Sequence, residues 1–314
     1  MKQLVILSGK GGTGKTTVAA AFAHLAAEGP ACRCQVPPIR AVLADADVDA
    51  SNLDLVLAPT ELEAHDFMGG AIAIIDPDLC DSCGICTEVC RFDAIPEPAF
   101  PDPAIVDPVA CDGCAACVYQ CPPQTIHMEQ QLAGQWFRSD TSYGPLFHAA
   151  LRPGQDNSGR LVTMVRQQAR LLALDDSYEL IIIDGPPGIG CPVISAATGT
   201  DLALIVTEPT VAGAHDLART LQTTEHFGIP ALVCINKADL HPEGVASIES
   251  FCRQRGVDVV GHIPFDTDVT RAMVEGMPVT RWQDNAVARE LCSVWVRVLS
   301  ALEEDKIQNP ASTP

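Results

Sequence analysis

Gly9-Lys10-Gly11-Gly12-Thr13-Gly14-Lys15-Thr16 is the stretch from which the fold can be read. The string fits G-x4-G-K-[ST]. The apolar run Leu4-Val5-Ile6-Leu7 precedes it, and a helical run over 17–28 follows. Strand, glycine-rich loop and helix in that order make a phosphate-binding loop. Glycines let backbone N–H groups wrap phosphate oxygens, and the helix N-terminus adds positive potential. Lys15 is expected to reach the β- and γ-phosphates of a nucleotide, and the Thr16 hydroxyl to bind Mg2+. Gly9, Lys10, Gly11, Gly12, Thr13, Gly14 and Thr17 complete the expected cradle.

Outward from this loop, other apolar runs close on polar residues. The strand at 41–44 ends in Asp45-Ala46-Asp47-Val48-Asp49, and carboxylates there sit at the ligand edge of an open parallel sheet. The run at 180–183 closes on Asp184-Gly185-Pro186-Pro187-Gly188, the Walker B and switch II plan. Asp184 is expected to hold Mg2+ through water, and the Gly188 N–H to sense a γ-phosphate. Further strands at 202–207, 231–235 and 257–263 alternate with helices at 160–174, 214–227, 243–255, 268–275 and 286–302. That repetition implies an α/β fold with a doubly wound, mostly parallel sheet of P-loop type.

The sheet pattern is interrupted. Cys80, Cys83, Cys86 and Cys90, then Cys111, Cys114, Cys117 and Cys121, follow C-x2-C-x2-C-x3-C twice, at an offset of 31 residues. This is the spacing of bacterial two-cluster ferredoxins, in which the fourth cysteine of each run ligates the other cluster. It assigns one [4Fe-4S] cluster to Cys80, Cys83, Cys86 and Cys121, and a second to Cys111, Cys114, Cys117 and Cys90. Ile85, Val89, Ile95, Ile105, Val118 and Ile126 are the expected apolar walls. Zinc is the competing metal for C-x2-C pairs, but the duplicated four-cysteine run favours iron–sulfur clusters. The expected organisation is a first ATPase part at 1–70, a small α+β ferredoxin-like insert at 71–130, a second ATPase part at 131–305 and a frayed tail at 306–314. Gln135 to Ala150 reads as a hairpin, and Asp156, Asn157 or Ser158 as a helix cap.

The loop's second lysine makes the likeness specific. G-K-G-G-T-G-K-T resembles the deviant Walker A loop of MinD/Mrp/nitrogenase-iron-protein ATPases, and D-G-P-P-G-I-G-C-P-V-I resembles switch II of those members with an inserted ferredoxin. From the residues alone, Lys10 is a cation beside phosphates. The resemblance implies that it reaches the nucleotide of a second subunit in an ATP-sandwiching homodimer. It also implies that Asp47 orients or deprotonates the attacking water and that Asp45 supports the Mg2+ shell. Asn236-Lys237-Ala238-Asp239 resembles a base-reading N-K-x-D, so Asn236, with Pro264 and Asp266 of a second loop, is expected at the purine. ATP as the nucleotide rests on the resemblance, because N-K-x-D by itself points toward guanine.

Bulk properties narrow the partners. A net charge of −20 argues against nucleic acid, whose binding needs positive patches. Residues 76–129 hold ten Asp/Glu and one Arg, which suits a basic redox partner or another iron–sulfur client protein. No 18-residue apolar run marks a transmembrane span, and the last helix lacks the basic amphipathic pattern of a membrane anchor. A cytoplasmic setting is expected, in which Cys32, Cys34, Cys191, Cys234, Cys252 and Cys292 stay reduced. Three readings remain: an ATP-gated electron carrier, a metallocofactor assembly ATPase, and a redox-sensing regulatory switch.

Overall fold

The computed structural model describes residues 1–29, 34, 36–153 and 158–308. The chain divides into two compact units. One holds Met1–His65, Trp136–Ala150 and the chain from Ser158 onward; the other holds Asp66–Gln135 and the stretch that begins at Leu151. In chain order, β1 (Lys2–Ser8), α1 (Lys15–Glu28), β2 (Ala41–Asp45) and α2 (Leu53–Leu57) come first. Strand β3 (Thr60–Ile75) runs into the second unit, which contains α3 (Ile85–Val89) and α4 (Ala116–Gln120). Strand β4 (Ile126–Thr141) returns and turns into β5 (Gly144–Leu151). Then follow α5 (Ser158–Asp175), β6 (Leu180–Pro187), α6 (Cys191–Ala197), β7 (Leu202–Thr207), α7 (Val211–His226), β8 (Ala231–Asn236), α8 (Pro242–Arg255) and β9 (Asp258–Ile263). The chain closes with α9 (Thr267–Val274), α10 (Val279–Trp282) and α11 (Ala286–Gln308).

The sheet has nine strands in the order β3-β4-β5-β2-β6-β1-β7-β8-β9. Strand β1 lies parallel between β6 and β7; β2 is parallel to β5 and β6, and β8 to β7 and β9. Strands covered on both faces read as unbroken apolar runs, and Leu4 to Leu7 are fully buried. Helix α1 is Ala-rich and buried around most of its circumference, so it lies inside the layer that α11 completes. There Phe22 meets Trp295 with ring centroids 4.8 Å apart, both side chains fully buried. The register places Asp45 beside Asp184 on neighbouring strands, and Ile6 of β1 on the other side of Asp184. Every strand from β6 to β9, like β1 and β2, therefore delivers its last residue to one edge.

The second unit is built on an internal two-fold likeness. Positive φ angles recur at offset 31: Ser82 and Gly113 (59° and 71°), Gly84 and Ala115 (76° and 61°), Asp93 and Gln124 (52° and 56°). Hydrogen bonds recur as well. The Cys80 N–H donates to Asp76 O at 3.1 Å, and the Cys111 N–H to Asp107 O at 3.1 Å. Two bonds cross between the repeats, from Asp76 N–H to Thr125 O at 2.9 Å and from Asp107 N–H to Ala94 O at 2.7 Å. A small apolar core of Ala73, Cys86, Ile95, Ala104, Cys117 and Ile126 fills the centre.

Several details differ from the sequence reading. The second compact unit begins at Asp66, within β3, runs to Gln135, within β4, and takes in the stretch that begins at Leu151, where an insert at 71–130 was expected. Ile105 is 70% exposed and walls nothing; alternation puts its neighbours Ala104 and Val106 inward instead. Helix α11 runs on to Gln308, so residues 306–308 are helical rather than frayed, while 309–314 lie outside the described residues. Cys34 and Cys292 form a disulfide with Cα atoms 5.5 Å apart, tying the segment after α1 to α11, where separate reduced thiols were expected. Cys32, Asp156 and Asn157 lie outside the described residues, and Ser158 is the first residue of α5. Among the described residues no helix is long and apolar enough to cross a membrane.

His24 of α1 is buried, with Nδ1 2.9 Å from the Thr280 hydroxyl. Burial lowers its pKa from 6.5, with Glu28 opposing and Arg281 adding to the effect. The unfolded chain therefore takes up this proton first as pH falls, and stability declines below about 6.5 until the folded value is passed. Urea unfolding between pH 7.5 and 5 is expected to show a steeper acid loss for the wild type than for His24→Asn; parallel curves would contradict this.

Candidate functional site

The phosphate loop spans the gap between β1 and α1, held by its neighbours. A Cβ on Gly9 would meet Asp216 of α7 at 2.2 Å, so only glycine fits there. Gly14 has φ 97°, and a Cβ on it would meet Asn236 Nδ2 at 2.4 Å. That same Nδ2 donates to Thr13 O at 2.7 Å, while Asn236 Oδ1 accepts the Lys237 N–H at 2.9 Å. Asn236 thus braces the loop. A cavity of about 410 Å3 opens beside it, lined by Gly12, Gly14, Lys15, Thr16, Thr17, Asn52, Asn236, Lys237, Pro264, Phe265, Asp266, Val269, Thr270 and Met273. The residues expected at phosphates and those expected at the base meet there. Phe265 is the aromatic face available to a base, and its N–H donates to Asp239 Oδ1 at 2.6 Å. A second cavity of about 350 Å3, between α1, α10 and α11, contains none of the loop residues.

Lys15 lies within the electrostatic reach of three carboxylates. It is 6% exposed; burial lowers its pKa, and Asp184, Asp47 and Asp45 pull it back up. Asp45 is fully buried and its oxygens are occupied. Oδ2 accepts from the Ser51 hydroxyl at 2.8 Å and from the N–H groups of Asn52 and Leu53 at 3.2 and 3.0 Å, and Oδ1 accepts from the Asp47 N–H at 3.0 Å. Burial nevertheless raises its pKa to about 6, against those bonds. Asp45 therefore shapes the loop that carries Asp47. Half-buried Asp47 is raised too, by burial first and Asp49 further, with Lys15 opposing.

Asp184 is the exceptional member. It is 1% exposed, and neither carboxylate oxygen has a hydrogen-bond partner of good geometry among the described residues. Burial and then Asp45 push its pKa well up, and the Thr16 hydroxyl and Lys15 offset only part of that. A buried carboxylate supported only by the Thr16 hydroxyl and the Lys15 charge is costly unless a cation completes it. The donor set of Thr16 hydroxyl and Asp184 carboxylate, all hard oxygen, fits Mg2+. The Gly188 N–H, expected at a γ-phosphate, donates to Ser8 O at 2.9 Å here.

Lys10 is not directed at open solvent. Its Nζ lies 2.7 Å from Glu208 Oε2, and Lys237 Nζ pairs with Oε1 of the same carboxylate. Glu208 was missed in the sequence reading, and Lys237 entered it only as a member of the N-K-x-D string. The signal for Glu208 was available: it follows the apolar strand β7 directly, as Asp184 closes the buried run of β6.

In the second unit two hollows contain all eight cysteines. One is lined by Cys80, Cys83, Cys86 and Cys121, the other by Cys111, Cys114, Cys117 and Cys90. In each, three thiols come from one run and the fourth from the other. Cys86 and Cys117 are buried, Cys83 and Cys114 exposed. Burial raises the thiol pKa of Cys86 and of Cys117. Among the described residues no three His, Cys, Asp or Glu side chains converge on a single metal ion.

Residues 4–279 match the family of CobQ/CobB/MinD/ParA nucleotide binding domains. The chain belongs to this family. It is a nucleotide-binding ATPase of the MinD/ParA type. This ATPase is 32% identical over 269 residues to the uncharacterized protein MJ0578 of Methanocaldococcus jannaschii, with 86% of each chain covered. It is 26% identical over 162 residues to an iron-sulfur cluster carrier protein of Pyrococcus horikoshii, 47% of this chain and 54% of that one. Its fold is shared with the septum site-determining protein MinD of Pyrococcus horikoshii, solved with Mg-ADP, at a TM-score of 0.58 and 18% identity over 97% of this chain and 98% of that chain.

For the MinD/ParA-type ATPase, Lys15→Ala is expected to lower kcat/KM for MgATP by about 10^2-fold or more. Asp47→Ala is expected to lower kcat by about 10^2-fold or more with KM little changed. Steady-state phosphate release measures both. Unchanged hydrolysis in the two variants would contradict the assignment.

Proposed function

We propose that the protein is a Mg2+-dependent, nucleotide-gated dimeric ATPase that carries two [4Fe-4S] clusters and couples ATP binding and hydrolysis to electron transfer to a protein partner. The observation that carries this reading is the pair of cysteine hollows, each lined by the four-thiol set that the ferredoxin spacing assigns. A cluster in each would supply one-electron acceptance and release. Cys80, Cys83, Cys86 and Cys121 would hold one, and Cys111, Cys114, Cys117 and Cys90 the other. The exposed thiols Cys83 and Cys114 mark where a partner comes closest.

At the nucleotide, Lys15 binds β/γ-phosphate oxygens, Thr16 and Asp184 hold Mg2+, and Asp47 positions the attacking water. Asp45 fixes the loop that presents Asp47. Release of the Gly188 N–H from Ser8 O is the local step that distinguishes a γ-phosphate from its absence. Lys10 contacts the nucleotide of the second subunit, as the likeness to MinD-type loops implies. The acidic surface of residues 76–129 favours a partner with a basic docking face.

A second reading, a cluster-assembly or carrier ATPase, is favoured by the relatives named iron-sulfur cluster carrier proteins. Against it, every C-x2-C of the sequence lies within the two runs, where four thiols per cluster suit retention. Anaerobically purified protein is expected to be brown, to hold about eight iron and eight labile sulfide per chain, and to keep them through incubation with apo-ferredoxin and MgATP. Iron-free protein that binds zinc instead would remove the electron-transfer reading. MgATP-dependent loss of iron to apo-ferredoxin would replace it with the carrier reading.

A further inference from the structure

Glu208 stands just past β7, at the strand edge that carries Asp45 and Asp184. Its side chain is 11% exposed, and it binds two ammonium groups at once. Lys10 belongs to the phosphate loop. Lys237 belongs to the segment after β8, lines the nucleotide cavity and sits at φ 54°, a left-handed conformation that a lysine adopts at some cost. The adjacent Asn236 grips the same loop through Thr13 O. The loop is therefore tied to β7 and β8 at two points, one neutral hydrogen bond and one ion-pair bridge.

The bridge has a consequence for anion binding. Two lysines around one carboxylate leave a single net positive charge facing the phosphates. Burial works to raise the Glu208 pKa, but its two lysines outweigh that and hold the carboxyl below its ordinary value, so it stays charged at neutral pH. The Glu208 carboxylate then competes for Lys237 with the phosphates of the nucleotide in its own cavity, and for Lys10 with those of the second subunit's nucleotide.

We propose that Glu208 is a positioning residue for the ATPase reaction: it seats Lys10 and Lys237 at the phosphate loop, and competes with the nucleotide's phosphates for both ammonium groups. The proposal rests on the reading of this loop as the ATP site. Loss of the carboxylate should have two opposite effects. Phosphates gain affinity because a competing negative charge has gone, and turnover falls because Lys10 has lost its seat.

The test is a kinetic cycle with MgATP on the full-length protein, using the wild type, Glu208→Gln, Glu208→Asp, Lys10→Ala and the Lys10→Ala/Glu208→Gln double variant. Glu208→Gln is expected to lower KM about threefold and kcat about tenfold, with a melting temperature within about 2 °C of wild type. Glu208→Asp is expected to recover most of kcat. In the Lys10→Ala background, Glu208→Gln should cost little further kcat, because Lys10, through which the loss of turnover runs, is absent. Multiplying effects of Lys10→Ala and Glu208→Gln would overturn the proposal. So would an unchanged kcat in Glu208→Gln, an unchanged or raised KM, or a loss that tracks a fall in melting temperature. Hydrolysis undiminished in Lys15→Ala would instead remove the ATP-site reading on which the proposal stands.

Discussion

One lysine and three carboxylates crowd the carboxyl edge of a parallel sheet, and the first unit depends on holding them there. The β2–β6 register sets Asp45 against Asp184, and β1 delivers the loop that brings Lys15 among them. Asp45 satisfies its oxygens from the backbone of its own loop. Asp184 does not, and its buried carboxylate keeps the site electrostatically incomplete until a cation and an anionic ligand arrive together. A site of this kind binds Mg-nucleotide more tightly than either part alone, because each relieves the charge the other leaves. The loop is braced from outside by the hydrogen bond from Asn236 Nδ2 to Thr13 O, and Gly9 is packed so closely on Asp216 that no side chain fits there.

The second unit obeys a different constraint. Its helices are short, and Cys86 and Cys117 share its small core with Ala73, Ile95, Ala104 and Ile126. The crossed hydrogen bonds, Asp76 to Thr125 and Asp107 to Ala94, exchange partners between repeats in the same way that the fourth cysteines do. Backbone and thiols therefore share one two-fold plan, which is what a duplicated chain needs to surround two equivalent groups. The proposed function joins this unit to a nucleotide switch whose movable element is identifiable: the bond from Gly188 to Ser8 is made here and must break for the N–H to face a phosphate.

Most of this was legible in the sequence because it depends on local chemistry. Glycine spacing, apolar runs closing on Asp and cysteine periodicity each carry a physical reason for their pattern, and Lys15, Asp184 and the eight cysteines follow from them. What stayed hidden depends on long-range pairing. Nothing near Glu208 in sequence announces that Lys10 and Lys237 converge on it, nor does any local feature join Cys34 to Cys292 across 258 residues. The length of β3 was hidden for another reason. Thr60 to Asp66 is exposed throughout; Leu62 and Ala64 alternate with charged residues, but a two-residue alternation is too short to mark a strand by itself. Asn236 was read as a base contact; it lines the cavity, and its amide also donates to Thr13 O, a brace that no local feature of the sequence announces.

The central claim is that nucleotide state at the lysine–carboxylate site acts on the cysteine unit. Potentiometric titration of the clusters, followed by their spectroscopic signal in nucleotide-free, MgADP-bound and MgATP-bound protein, tests it most directly. The account predicts that the reduction potential differs between the MgADP and MgATP forms, and that the difference disappears in Lys15→Ala. Identical potentials in all three forms, in protein that hydrolyses ATP and retains its iron, would contradict it.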